Sequence, residues 1–350
     1  MTSFRILRNA AAALAFLLLA RGPALSADDN LIFLLGDTTP PLMNALNLIA
    51  NGAGFYKAEH LNVTTRLLAN GSTIAAHICA SGTVDVCPMG IESAITSYGQ
   101  GDHLKMFLTR ASKFGYVIAV LDSSPIKTLA DFKGKSIGVH TVNGGPSASL
   151  ATQSSLASVG LTPADYKFVS IGMSDTAASA LTSGRVDAAA LPVYELIPYM
   201  VSGLKLRIFY HPTLEDSANA GYLAAPSILA SKHDAIQRFS RAIVKAALLI
   251  DYHPDAAAKA LLTATGKPFT PEDLKSKTAE LSVWRNDLPA ANPDSRRIGA
   301  PSMTGMQAYI KLLQDAGALQ APVPVAEVAT DEFAAFSNDF DRNAIKNFAN

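Results

Sequence analysis

Ser81-Gly82-Thr83-Val84-Asp85 recurs as Ser183-Gly184-Arg185-Val186-Asp187, 102 residues later (183 − 81). Its surroundings recur with it. An Ala-rich helical run precedes each copy, Ser72 to Ala80 and Ser174 to Thr182. An apolar, strand-like run follows each, Val86-Cys87-Pro88-Met89 and Ala188-Ala189-Ala190-Leu191, and then another helical run. Five residues alone match by chance. The shared helix–SGxVD–strand–helix context reads as one βα unit used in two lobes. Two similar α/β lobes imply a cleft between them, where small ligands bind.

The pattern on either side extends this reading. Leu31 to Leu35 is an apolar strand, Pro41 to Tyr56 a helix with Leu42, Ala45, Leu46 and Ile49 on one face, and Asn62 to Leu68 a strand. Ser72 caps a helix over 73–81, followed by strand Val84 to Met89, helix Ile91 to Tyr98 and strand Leu104 to Leu108. This alternation predicts a parallel sheet covered by helices.

A second series begins at Val117 to Leu121, with strands Ser136 to His140, Phe168 to Ile171, Ala188 to Leu191 and Leu206 to Tyr210. Helices Pro146 to Val159, Asp175 to Thr182 and Tyr194 to Val201 alternate with them. After Ala220 helices dominate: Ile236 to Tyr252, Pro254 to Thr263, Pro271 to Val283, Thr304 to Ala316 and Asp331 to Phe348. The last long helices are expected to pack back on the first lobe. The expected organisation is a discontinuous first lobe (28–114 with 216–350), a second lobe (115–215), and crossings near 111–118 and 210–222.

Residues 1–27 form a separate object. Arg5 and Arg8 precede an unbroken apolar run of 11 residues, Ala10 to Ala20, then Pro23 and the small-residue stretch Ala24-Leu25-Ser26-Ala27. This is the pattern of a secretory signal peptide cleaved near Ser26 or Ala27. The run is too short to span a bilayer, which takes about 20 apolar residues. Periplasmic export is the expectation.

At 49% hydrophobic and 17% charged, the 350-residue chain has an ordinary globular composition. Its 29 basic and 29 acidic residues, with no Lys/Arg cluster, argue against a nucleic-acid partner. Cys79 and Cys87 are the two cysteines, one at a helix end and one in the strand beneath it. In an oxidising compartment such a pair either bridges or stays as two buried thiols.

In open parallel sheets the ligand site lies beyond the carboxyl ends of the strands. That rule selects the loops with Asp37, Thr38 and Thr39; Ser72 and Thr73; Met89 and Gly90; Asn143, Gly144 and Ser147; Gly172 to Asp175; and Tyr194 and Glu195. They are rich in Gly, Ser, Thr and Asn. Several open helices, whose free N–H groups hold an oxyanion without a basic side chain. Asp37 or Glu195 is expected to meet a ligand amine or ring N–H if not merely capping a turn, and Tyr194 to stack on a ligand or to pack. Arg110 ends a strand near the first crossing and is open to two roles, pairing with an anionic ligand or, the expected one, a salt bridge inside the lobe.

The seven histidines (60, 77, 103, 140, 211, 233, 253) form no HxxxH or HExxH pair, so no metal site is expected. A nucleophile elbow, a P-loop and a strand-linked GxGxxG are all missing, so neither cofactor nor catalysis is expected.

Four segments together resemble the secreted solute-binding proteins of ABC importers, in the group with sulfonate, taurine, nitrate and thiamine-precursor binders. They are Gly54-Phe55-Tyr56-Lys57-Ala58-Glu59-His60-Leu61-Asn62-Val63, similar to "GFFKEEGLDV", then Ala80 to Asp85, Ile126 to Lys135 and Leu181 to Ala189. The resemblance implies a type II periplasmic-binding fold, an α/β architecture of two βα lobes that close about a hinge on one solute. It implies delivery to a membrane permease and no catalysis; a monomer is expected. His60 stands where the group usually has Gly at a left-handed helix end, and Val193-Tyr194-Glu195-Leu196 replaces a Trp-Glu-Pro-like stretch. The cysteine-rich motif of the group's pyrimidine-synthesis enzymes is lacking. Alternatives left open are an enzyme on the same fold acting on a small ring compound, and a ligand sensor that docks on a receptor.

Overall fold

The computed structural model describes residues 28–36, 41–68, 72–140, 142, 146–214, 217–288, 295–315, 317, 319 and 321–348. The signal-peptide stretch lies outside them, as do Asp37, Thr38, Thr39, Asn143 and Gly144.

Strands β1 (Asp29–Gly36) and β2 (Leu61–Leu68) pair in parallel, from Asp29 opposite Leu61 to Gly36 opposite Leu68. A parallel bridge from Phe33 to Val86 joins β1 to the chain entering β3 (Cys87–Gly90). Beyond β3 come β10 (Ala220–Ala224) and β4 (Lys105–Thr109). The other sheet runs β7 (Lys167–Ser170), β6 (Ser136–Val139), β8 (Ala188–Pro192), β5 (Tyr116–Leu121), β9 (Leu206–Phe209).

Neither sheet is all-parallel, contrary to the expectation from βα alternation. β10 is antiparallel to β3 and β4, and β5 is antiparallel to β8 and β9. These are the two strands reached directly after the chain leaves one sheet for the other. A strand that enters without a covering crossover helix is free to run the opposite way.

The repeated motif does one job twice. Gly82 (φ 70°) and Gly184 (φ 74°) take the left-handed conformation that ends the preceding helix, where a Cβ would be strained. Those helices are α3 (Ser72–Ala80) and α6 (Asp175–Thr182). Asp85 then accepts the Ile32 N–H on its carboxylate at 2.7 Å and gives its own N–H to the Ile32 carbonyl at 2.9 Å. Asp187 accepts the Ser136 N–H at 2.8 Å and gives its N–H to the Ser136 carbonyl at 3.0 Å. Each Asp thus pins the strand that follows the motif against a neighbouring strand. Cys79, in α3, and Cys87, in β3, are joined by a disulfide with Cα atoms 6.4 Å apart.

The expected helix over 41–56 is broken. After a 3₁₀ turn at Pro41–Asn44, α1 (Ala45–Gly52) stops and α2 (Phe55–Ala58) restarts, because Gly54 lies at φ 73°. His60 is left-handed at φ 53°. The buried Glu59 accepts hydrogen bonds from Arg241 and Lys245, both on α9 (His233–Tyr252). α9 and α10 (Pro254–Ala264) pack on α1. Phe239 of α9 stacks on Tyr56 at 5.6 Å and meets Tyr222 edge-on at 5.5 Å.

The expected helix over 331–348 is two short turns, Ala334–Ser337 and Asn343–Lys346. Asn338 interrupts it: its side chain accepts the Ile298 N–H at 3.1 Å and donates to the Ile298 carbonyl at 3.0 Å, tying the chain to a neighbouring loop. No described helix is long and apolar enough to cross a membrane.

Candidate functional site

Two segments carry the chain between the sheets, one from β4 to β5 and one from β9 to β10. They run side by side. The Gly115 N–H donates to Asn219 Oδ1 at 2.8 Å, and Asn219 Nδ2 donates to Glu92 Oε1 at 2.7 Å. Glu92 is fully buried in α4 (Ile91–Gly99), and the same oxygen accepts the Tyr309 hydroxyl at 2.9 Å. Phe114 of one segment packs on His211 of the other, ring centres 5.1 Å apart.

A cavity of about 120 Å³ opens beside these segments. Both sheets contribute to its wall: Met89 and Gly90 at the end of β3, Arg110 after β4, Tyr116 opening β5, and Pro192 to Tyr194 where β8 passes into α7 (Val193–Val201). Met43 and Trp284, the last residue of α11 (Pro271–Trp284), also line it, as do Ser93 and Ala220.

Of the residues selected from the sequence, Met89, Gly90 and Tyr194 meet at this cavity. Glu195 does not line it. Its carboxylate is buried and paired with His140 Nε2 at 3.0 Å, which occupies the acid expected to meet a ligand amine. Ser72 and Thr73 open α3, and Ser147 lies in the first turn of α5 (Pro146–Ala157); their side chains lie outside the described set.

Arg110 departs from its expected role. No carboxylate lies within ion-pair distance of it among the described residues. Its guanidinium sits over the Tyr194 ring, 5.1 Å from the centroid, and Nε has no hydrogen-bond partner. Arg110 is 5% exposed, and it is the one charged residue in the described wall. Burial pushes the Tyr194 phenol up to about 12, against the opposing pull of Arg110. Burial likewise drives Tyr116 well above its usual range.

The sequence did not point to Trp284, Met43 or Tyr116. Trp284 ends a helix far from any β-strand in the chain, and only tertiary packing brings it to the strand ends. Its one available signal was its being the single tryptophan.

The sequence matches the NMT1/THI5-like family over residues 44–257, more than half of the chain. The chain belongs to that family. A Brucella abortus (strain 2308) protein, described provisionally as a binding protein, is 26% identical over 280 residues, spanning 75% of this chain and 84% of its own. The alkanesulfonate-binding protein SsuA of Xanthomonas axonopodis pv. citri, solved with bound MOPS, superposes with a TM-score of 0.62 at 20% identity, covering 86% of this chain and 98% of SsuA. The desulfurization enzyme DszB superposes with a TM-score of 0.56 at 17% identity, covering 88% of this chain and 98% of DszB. The NMT1/THI5-like chain therefore has the periplasmic-binding fold, on which both binding proteins and an enzyme are built.

Proposed function

We propose that this chain is the substrate-binding component of an ABC importer. It is exported to the periplasm after signal-peptide cleavage near Ser26 or Ala27, and works as a monomer. It captures a small anionic or zwitterionic organic solute, sulfonate- or taurine-like or related, between a lobe of residues 28–114 with 216–350 and a lobe of residues 115–215. It then delivers the solute to a membrane permease, without catalysis and without a cofactor. The observation that carries this reading is the cavity at the two crossing segments, walled by strand ends of both sheets and by one buried cation. Family membership and the SsuA likeness support it. Asp37, Thr38, Thr39, Ser72, Thr73, Asn143, Gly144 and Ser147 are proposed to complete the ligand-facing loops.

Trp284 supplies the test, because the single tryptophan lines the cavity. Closure on a solute should change its fluorescence saturably, and a solute at 100 times its Kd should stabilise the fold by about 2.7 kcal/mol. The panel is alkylsulfonates, taurine, nitrate, aromatic carboxylates, pyrimidines and amino acids. Turnover of any of them, detected by mass spectrometry, would favour the enzyme reading instead.

A further inference from the structure

We infer that Arg110 is the anion anchor of this cavity, and that the site takes an organic monoanion with an apolar body in preference to a zwitterion, a neutral compound or a dianion. This rests on the solute-binding reading above and narrows it.

Three observations converge. The first is the unspent cation. A guanidinium taken out of water needs a compensating negative charge or its burial is strongly unfavourable. Arg110 is 5% exposed, touches no described carboxylate, and leaves Nε unpartnered. The Tyr194 ring beneath it, with the side-chain hydrogen bond between the two residues, offsets only part of that cost. An oxyanion in the cavity would take up the remaining donors of the planar fork.

The second is the count of charges behind the wall. Glu92 and Glu195 both lie close enough to bear on the Tyr116 phenol, as Arg110 does. Both are engaged elsewhere: Glu195 with His140, Glu92 with Asn219 and Tyr309. They add no positive charge, and Arg110 is the one cation in the described wall, so the second charge of a dianion is left unmatched there. Among the described residues the wall holds no acid and Glu195 is taken by His140, so a ligand ammonium finds no partner beside Arg110.

The third is the rest of the wall. Met43, Met89, Tyr116, Val193 and Trp284 surround the guanidinium with apolar and aromatic surface. The cavity, about 120 Å³, is smaller than the roughly 300–1,000 Å³ of drug-sized ligand sites. It fits a single head group and the start of an apolar body.

Isothermal titration and Trp284 fluorescence on the purified protein, with Arg110→Gln and Arg110→Lys, test this. The probes are benzoate, benzenesulfonate, hexanoate and hexanesulfonate as monoanions, benzenesulfonamide as a neutral isostere, taurine as a zwitterion and inorganic sulfate as a dianion. At least one monoanion should bind about tenfold or more tighter than the neutral, zwitterionic and dianionic probes. Arg110→Gln should weaken it about 30-fold or more, the loss expected when one partner of a buried charge pair is removed. Arg110→Lys should fall between, keeping the charge without the fork. Thermal melting of the ligand-free variants shows that they fold, and Arg110→Gln should melt no lower than the parent, since it removes an unpaired buried charge. Should a neutral or zwitterionic probe bind best, or a monoanion bind Arg110→Gln within threefold of the parent, the Arg110 assignment is wrong while solute binding stands. If no probe of any charge binds, the solute-binding reading and the anchor fall together.

Discussion

The Arg110 guanidinium lies 5.1 Å from the centre of the Tyr194 ring, and the two residues come from different sheets. Arg110 follows β4 and Tyr194 sits in the first turn of α7, beyond β8. The pair thus couples the two halves of the molecule at the cavity wall. Removing the ring face should be felt as stability: Tyr194→Leu loses the cation–π contact, about 2 kcal/mol, while Tyr194→Phe keeps it. At roughly 2–4 °C per kcal/mol for a chain of this size, the Leu variant should melt about 4–8 °C below the Phe variant. Equal melting temperatures would mean that Arg110 gains nothing from the ring.

How much of this was legible in the chain follows from where each interaction is encoded. The SGxVD copies were readable because their work is local: a left-handed Gly, a buried Val and an Asp that pins the next strand all lie within five residues. The antiparallel placing of β5 and β10 was not, since local periodicity carries no strand direction. Met89, Gly90 and Tyr194, which line the cavity, are selected by the rule that places ligands at the loops after strands, and that rule uses only element order. For Arg110 the sequence leaves a salt bridge and a ligand contact both open, and only the fold shows that no acid among the described residues pairs with it. Trp284 is hidden for the same reason: its neighbours in the cavity wall lie more than 60 residues away in sequence.

His211 should make the second crossing acid-sensitive. It is 1% exposed, and burial lowers its imidazole from 6.5 to about 4. Its Nδ1 accepts the backbone N–H groups of Thr213 at 3.3 Å and Leu214 at 3.2 Å, which requires the neutral ring. The folded chain therefore keeps His211 unprotonated while the unfolded chain takes a proton near 6.5. Its contribution is complete above that pH. It is lost as pH falls toward about 4, at up to about 1.4 kcal/mol per pH unit. His211→Asn retains an oxygen for the two N–H groups and cannot titrate. The gap in urea stability between parent and variant should shrink steadily from pH 7 to pH 4; a constant gap would show that His211 does not titrate on unfolding.

Gly52 sets how closely α1 and α10 approach. A Cβ built there would stand 2.0 Å from the Ala260 carbonyl oxygen, which belongs to the backbone of α10 and cannot rotate aside. Gly52→Ala must therefore push the helices apart, at about 1–3 kcal/mol for an overpacked contact. Gly99 is the control. It ends α4 with nothing within 4 Å of a built Cβ and without a left-handed φ, so Gly99→Ala is sterically free. Such a change is neutral or stabilises by up to about 1 kcal/mol, by restricting the unfolded chain. Because α10 also packs against α9 and α11, the strain at Gly52 should spread into the body of helices behind Trp284. A shifted Trp284 emission in the ligand-free Gly52→Ala protein, together with a lower melting temperature, is the expected result. An unchanged melting temperature would mean that the two helices are free to separate without loss.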